Sequence, residues 1–206
     1  MAKRNVKFLK GRCYHIFNRG ANKRKIFFEE ENYVYLLKKL KHYVKKYEFS
    51  VLAYCLMPNH YHFVLRQDGD IPLNIPIAFL FNGYTKAVNK RYNRTGTLFE
   101  GTFKSIEVEY ANYLLELCRY IHRNRVDDGL VEQIEDWKFS NYLEWIEKRN
   151  GSLVDLKLRN KYFNNASSYE SYVINYKSIK RAVKGLRKYL LELERNKNKN
   201  TSETHL

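Results

Sequence analysis

Phe49-Ser50-Val51-Leu52-Ala53-Tyr54-Cys55-Leu56, a break at Met57-Pro58-Asn59, and His60-Tyr61-His62-Phe63-Val64-Leu65-Arg66 read together as a β-hairpin. The first run is dense in strand formers, Pro58 and Asn59 supply turn chemistry, and the second run resumes a strand. Side chains alternate across a strand, so His60 and His62 share one face and Tyr61 points to the other. Phe63, Val64 and Leu65 anchor the strand in the core. Two imidazoles converging from one strand are half of a divalent-metal site. A short H-x-H also arises often by chance, so the rest of the chain has to decide its meaning.

Outward from the hairpin the pattern alternates. Arg12 to Arg19 reads as a strand, closed by Gly20-Ala21-Asn22 as a turn. Glu30 to Tyr47 reads as a helix, with Tyr33, Leu36, Leu37, Leu40, Tyr43 and Val44 at helical spacing and lysines opposite. Beyond the hairpin, Asp68-Gly69-Asp70 is a solvated loop that lacks the other ligands of a calcium loop. After Pro72 and Pro76, Ile77 to Tyr92 is expected to be helical, with Phe79, Leu80, Tyr84, Ala87 and Val88 as its apolar side. Thr97 to Phe99 and Phe103 to Val108 are expected as a short strand pair around Gly101. Ala111 to Asn124 is a third helix with a Leu114, Leu117, Cys118 and Ile121 stripe. The order β-α-β-β-α-β-α predicts an α+β fold: a ferredoxin-like antiparallel sheet with helices packed on one face.

Trp137-Lys138-Phe139-Ser140-Asn141-Tyr142 reads as a segment that closes the core. Past Gly151 the chain turns polar, and a basic helix is expected from about Ser171 to Arg195, with a frayed tail over Lys197 to Leu206. The expected organisation is a catalytic domain over 1–150 and a basic helical extension over 151–206, with no internal repeat.

Composition narrows the partners. The 206 residues include 38 Lys+Arg against 22 Asp+Glu, a net charge of +16, which suits a polyanion. A run of about 18 apolar residues, as a membrane span needs, is absent, and the basic N-terminus is not followed by a signal-peptide core. Cys13, Cys55 and Cys118 are odd in number and widely spaced, against a disulfide framework and a structural zinc site. The expectation is a cytoplasmic protein in contact with nucleic acid and not with membrane. Aromatics make up 16% of the chain, 18 of them tyrosines interleaved with basic residues, which suits stacking on single strands.

Four segments in order carry a resemblance: Tyr14-His15-Ile16-Phe17-Asn18-Arg19-Gly20, the Met57-to-Leu65 H-x-H segment, Arg94-Thr95-Gly96-Thr97-Leu98-Phe99-Glu100-Gly101-Thr102-Phe103-Lys104-Ser105, and Arg119-Tyr120-Ile121-His122-Arg123-Asn124. With the Trp137-to-Tyr142 segment as a fifth, residues 12–145 resemble the single-tyrosine HUH transposases, and most closely the REP-associated tyrosine transposases. The resemblance implies a divalent metal, Mg²⁺ or Mn²⁺, held by His60, His62 and Asn124, and Tyr120 as nucleophile. Residues four apart share a helix face, so Tyr120 and Asn124 can both meet the histidine strand. It implies cleavage and rejoining of single-stranded DNA, hairpins included, through a 5′-phosphotyrosine, by a monomer or homodimer. Arg19, Lys23, Arg24, Lys90, Arg91, Arg94 and Lys104 are the expected phosphate contacts.

Many relatives have Asn-Pro-Val where this chain has Asn124-Arg125-Val126, a change expected to lengthen the helix. Two other readings stay open. A non-catalytic nucleic-acid-binding module on the same fold would be indifferent to loss of Tyr120. A metal-dependent nuclease using water would form no covalent adduct and would want carboxylates.

Overall fold

The hairpin forms as β2 (Phe49–Met57) and β3 (His60–Gln67), joined by Pro58 and Asn59. β3 pairs on its other side with β1 (Cys13–Arg19), and β1 with β4 (Lys104–Val108), giving the antiparallel order β2-β3-β1-β4. The structure, a computed structural model, describes residues 6–109 and 111–175. Because β1 and β2 both oppose β3, they run parallel to each other, and α1 (Glu30–Tyr47) is the crossover between them. α2 (Asn74–Arg91) makes the second crossover, from β3 to β4. This is the expected ferredoxin-like sheet.

The crossover helices have local causes. Asn32 accepts the backbone N–H of Phe28 at 2.8 Å, which ties down the start of α1, and Glu30 and Glu31 sit favourably in its first turn. Glu48, left-handed at φ 49°, ends it. α2 begins at Asn74, earlier than expected, because Pro76 falls in the first turn, where a backbone N–H has no helical partner to lose. Its buried stripe is Ile77, Leu80, Phe81, Tyr84 and Val88. Phe79, expected in that stripe, is 52% exposed, and Phe81 takes its place, stacked on Tyr61 with centroids 4.1 Å apart.

Thr97–Phe99 and Phe103–Val108 do not pair with each other. Lys104–Val108 adds to the open edge of β1 as a five-residue ladder, while Phe99 makes a single bridge to Gly20. The longer ladder satisfies more backbone groups than a three-residue hairpin could.

α1 and α2 cover one face of the sheet, packed on Tyr14, Ile16, Tyr61, Phe63 and Leu65. The second face is covered too. α3 (Ala111–Asp127) packs Leu114, Leu117, Cys118 and Ile121 against Leu52, Ala53, Cys55 and Val64. The almost unbroken apolar run of β2 is the cause, since a strand buried on both faces needs apolar residues at both parities. α3 continues past Asn124 to Asp127, as expected without the relatives' proline.

The Trp137-to-Tyr142 segment closes the free edge of β2, where Leu56 N–H donates to Phe139 O at 2.9 Å and Trp137 Nε1 donates to Leu56 O at 3.0 Å. α4 (Tyr142–Trp145) follows. The chain does not leave the core at residue 150. Asp155 N–H bonds Val51 O at 2.9 Å, and its carboxylate accepts from Arg66 at 2.9 Å. α5 (Lys157–Tyr162) and α6 (Ala166–Ile174) then return, and Tyr169 and Val173 are buried in the α3 core. Residues 151–175 are thus integral to the fold. α6 ends at Ile174; the remainder of the expected basic helix, and the expected tail, lie outside the described residues. All three cysteines are free.

Leu117 is fully buried where α3 meets the sheet. Leu117→Ala is expected to lower unfolding stability by about 2–5 kcal/mol, read from urea denaturation; a loss under about 1 kcal/mol would mean that α3 is not packed as described.

Candidate active site

The second face of the sheet carries the histidines. β1–β3 pairing sets Phe17 opposite His62 and Arg19 opposite His60, so His15, Phe17, His60 and His62 crowd one side. His60 Nδ1 lies 2.7 Å from Asn59 Oδ1. That oxygen can only accept, which assigns the proton to Nδ1 and leaves Nε2 as the lone-pair nitrogen. His60 Nε2 is 3.4 Å from Asn124 Oδ1, two electron-pair donors side by side. The His60 and His62 rings stand edge to face at 5.2 Å.

His62 is braced from behind. Its Nδ1 is 3.0 Å from Nε2 of His15, a residue with no exposed surface. Burial pushes the His15 imidazole down to about 3, so it stays neutral and its Nε2 is able to accept a hydrogen bond from His62 Nδ1–H. In the tautomer with that proton on Nδ1, the lone pair of His62 is on Nε2.

α3 supplies the rest. Tyr120 is 7% exposed, and its ring stands edge-on to His62 with centroids 5.9 Å apart. Asn124, one turn on, is buried on the same face. A cavity of about 640 Å³ opens over these groups, and His60, His62, Tyr120 and Asn124 all line it. Among the described residues no three His, Cys, Asp or Glu side chains are placed to hold a metal. Two imidazoles and an amide oxygen remain as the donor set, and this set fits a divalent ion with open positions for substrate oxygens.

Of the expected phosphate contacts, Arg19, Lys23 and Lys104 line the cavity and Arg24, Lys90, Arg91 and Arg94 do not. Arg91 is ion-paired with Glu29, and the Arg94 guanidinium lies over the Phe28 ring at 5.2 Å. Arg19 is itself paired with Glu100, whose carboxyl is held below its ordinary range first by that bond. Glu100, Asp127 and Asp128 also line the cavity.

The profile of the IS200-like transposases matches residues 9–124, more than half of the chain, with His60, His62, Tyr120 and Asn124 all inside the match. The chain belongs to the IS200-like transposase family. A Haemophilus influenzae protein named for the REP-associated tyrosine transposases is 26% identical over 106 residues, 47% of this chain. The chain spans 60% of the length of that curated relative. A solved REP-associated tyrosine transposase bound to a REP hairpin is similar in fold, with a TM-score of 0.62 at 18% identity over 77% of this chain and 96% of that one.

Within this family member, sequence reasoning found the two histidines, Tyr120 and Asn124 as one constellation, and the fold brings them together. It gave no role to His15, Asn59, Glu100, Asp127 or Asp128. Alternation in β1 carried a signal for His15, which shares a parity with Phe17 and a face with His62. The carboxylates carried none, because their approach depends on loop paths.

His122, on the far side of α3, is also buried, and burial lowers it to about 4. Free imidazoles titrate near 6.5, so below that pH the unfolded chain takes up protons that folded His15 and His122 refuse. Stability, measured by urea unfolding in chelator, is expected to be flat between about pH 7 and pH 8, below the range in which the buried thiols bear on it. Below pH 6.5 it should fall by up to about 1.4 kcal/mol per pH unit for each ring. A flat profile down to pH 5 would contradict neutral burial of both.

Proposed function

We propose that this chain is a metal-dependent transposase that cuts and rejoins single-stranded DNA through Tyr120. The observation that carries the reading is the sharing of one cavity by four groups from two elements: His60 and His62 of β3, and Tyr120 and Asn124 of α3.

In the proposed reaction the Tyr120 oxygen attacks a DNA phosphorus and the P–O3′ bond breaks. The phosphate stays on the tyrosine as a 5′-phosphodiester, and the departing 3′ oxygen ends with the proton that Tyr120 loses. No bond energy is lost to water, so a 3′-OH from another strand can reverse the step and join the ends. His60, His62 and Asn124 would hold Mg²⁺ or Mn²⁺, which when bound supplies Lewis-acid stabilisation of the scissile phosphate. Asn59 and His15 keep the two imidazoles in the required tautomers. Lys23 and Lys104 present cations to the backbone, and Arg19 does so once a phosphate displaces Glu100. Arg24, Lys90, Arg91 and Arg94, outside the cavity, would meet the strand further along. The solved neighbour's REP hairpin and the net charge of +16 support hairpin-bearing DNA as the partner.

Every group in this scheme comes from one chain, so a monomer is sufficient, though a homodimer is compatible with it. No helix among the described residues is long and apolar enough to cross a membrane, and we place the reaction in the cytoplasm with its DNA. Glu100, Asp127 and Asp128 favour a second reading, hydrolysis by a water molecule that a carboxylate activates.

Covalent trapping separates the two. With Mn²⁺ and end-labelled single-stranded hairpin DNA, the protein is expected to give a shifted band on a denaturing gel. Tyr120→Phe should abolish the band, and His60→Ala should slow its formation by about 10²–10³-fold. Cutting without an adduct would establish water as the nucleophile instead.

A further inference from the structure

The far side of α3 is tied to α6 by a set of bonds that the proposed chemistry does not use. Tyr169 has no exposed surface, and its hydroxyl lies 2.7 Å from His122 Nδ1. His122 Nε2 lies 3.0 Å from Asn141 Oδ1. Asn141 is held at both ends by β2: its amide donates to Leu52 O at 3.0 Å, and its oxygen accepts Tyr54 N–H at 2.6 Å. Its oxygen can therefore only accept from His122, which puts the imidazole proton on Nε2 and makes Nδ1 the acceptor for Tyr169. A continuous relay of buried hydrogen bonds thus runs from α6 through α3 to β2.

Two arginines complete the tie. Arg119 donates to Tyr172 O at 3.3 Å, and its guanidinium lies 4.2 Å over the Tyr172 ring. Arg123 donates to Val173 O at 3.1 Å. These carbonyls belong to the last turn of α6, where cations are most favourable. Tyr172 in turn donates to Glu116 at 2.8 Å. His122 lies on the opposite side of α3 from Tyr120 and Asn124, while Glu116, four residues before Tyr120, lies toward its side of the helix. α6 lies beyond residues 9–124, the stretch that matches the family profile.

We propose that α6 is a brace for the nucleophile helix, and that Tyr169 is a positioning residue acting through His122 to hold Tyr120 and Asn124 at their distances from His60 and His62. Side chains that react only in a near-attack geometry lose rate steeply with small displacements. Tyr169 has no exposed surface and Tyr172 is engaged with Glu116 and Arg119, and neither lines the cavity, so their expected influence is on rate and not on binding. The proposal rests on the tyrosine-nucleophile reading.

The test compares wild type, Tyr169→Phe and Tyr172→Ala, the last a half-buried position that spares the relay. Adduct formation is followed in single turnover at saturating hairpin DNA and Mn²⁺, DNA affinity by fluorescence anisotropy, and α3 dynamics by amide hydrogen exchange over residues 117–124. Both variants are expected to slow adduct formation by about ten- to a hundredfold, with DNA affinity within about twofold of wild type and faster exchange in α3. Unchanged rates would overturn the brace, as would a rate loss that only tracks the fraction of folded protein. If wild type forms no adduct, the nucleophile reading fails by itself, and unchanged α3 exchange in both variants would separately dismiss the brace.

Discussion

The register of β3 between β1 and β2 is the constraint on which the site depends. Tyr61, Phe63 and Leu65 have no exposed surface and pack under α1 and α2. Burial of a Phe or Leu side chain is worth about 1.5–3 kcal/mol each. A slip of one residue would turn this set to the α3 face and drive His60 and His62 into the aromatic core under α1 and α2, where unpartnered imidazoles are costly. The apolar parity of the strand thus holds the histidines on the opposite face without any bond of their own being needed to put them there. α3 reaches that same face because β2 is apolar at both parities, and it brings Tyr120 and Asn124 with it.

Positioning then passes from packing to polar bonds. Asn59 and His15 orient the two imidazoles from the strand side, and the His122–Asn141 contact seats α3 against β2 from the other. The cavity between them carries charges of both signs. Arg19 is occupied by Glu100, so a DNA strand bound as proposed would exchange one anion for another at that guanidinium. Such an exchange would favour a phosphate that arrives with other contacts already made, at Lys23 and Lys104.

Much of this was legible in the sequence. The hairpin, α1 and the stripe of α3 follow from periods of 2 and 3.6, whereas Tyr120 and Asn124 are singled out by the family resemblance, with which their spacing of four on one helix face is consistent. What escaped depended on contacts between distant segments. Phe81 is the exception: the 3.6-residue period of α2 favours it, four from Ile77 and three from Tyr84, over Phe79, which falls on the opposite side; the Tyr61 ring on the sheet stacks on Phe81. The partner of Lys104–Val108 was misjudged because an open strand edge competes with a local turn. Tyr169 and His122 are single polar residues 47 positions apart, and no local pattern links them, so the mostly polar chain after Gly151 reads as an appendage although it sends Tyr169 and Val173 into the α3 core.

The proposed chemistry needs His60, His62 and Asn124 to form one metal site beside Tyr120, which anomalous diffraction from crystals of the full chain grown with Mn²⁺ would reveal. One manganese peak is expected within bonding distance of His60 Nε2, His62 Nε2 and Asn124 Oδ1. A peak seated instead on Glu100, Asp127 or Asp128, with the histidines uninvolved, would contradict it.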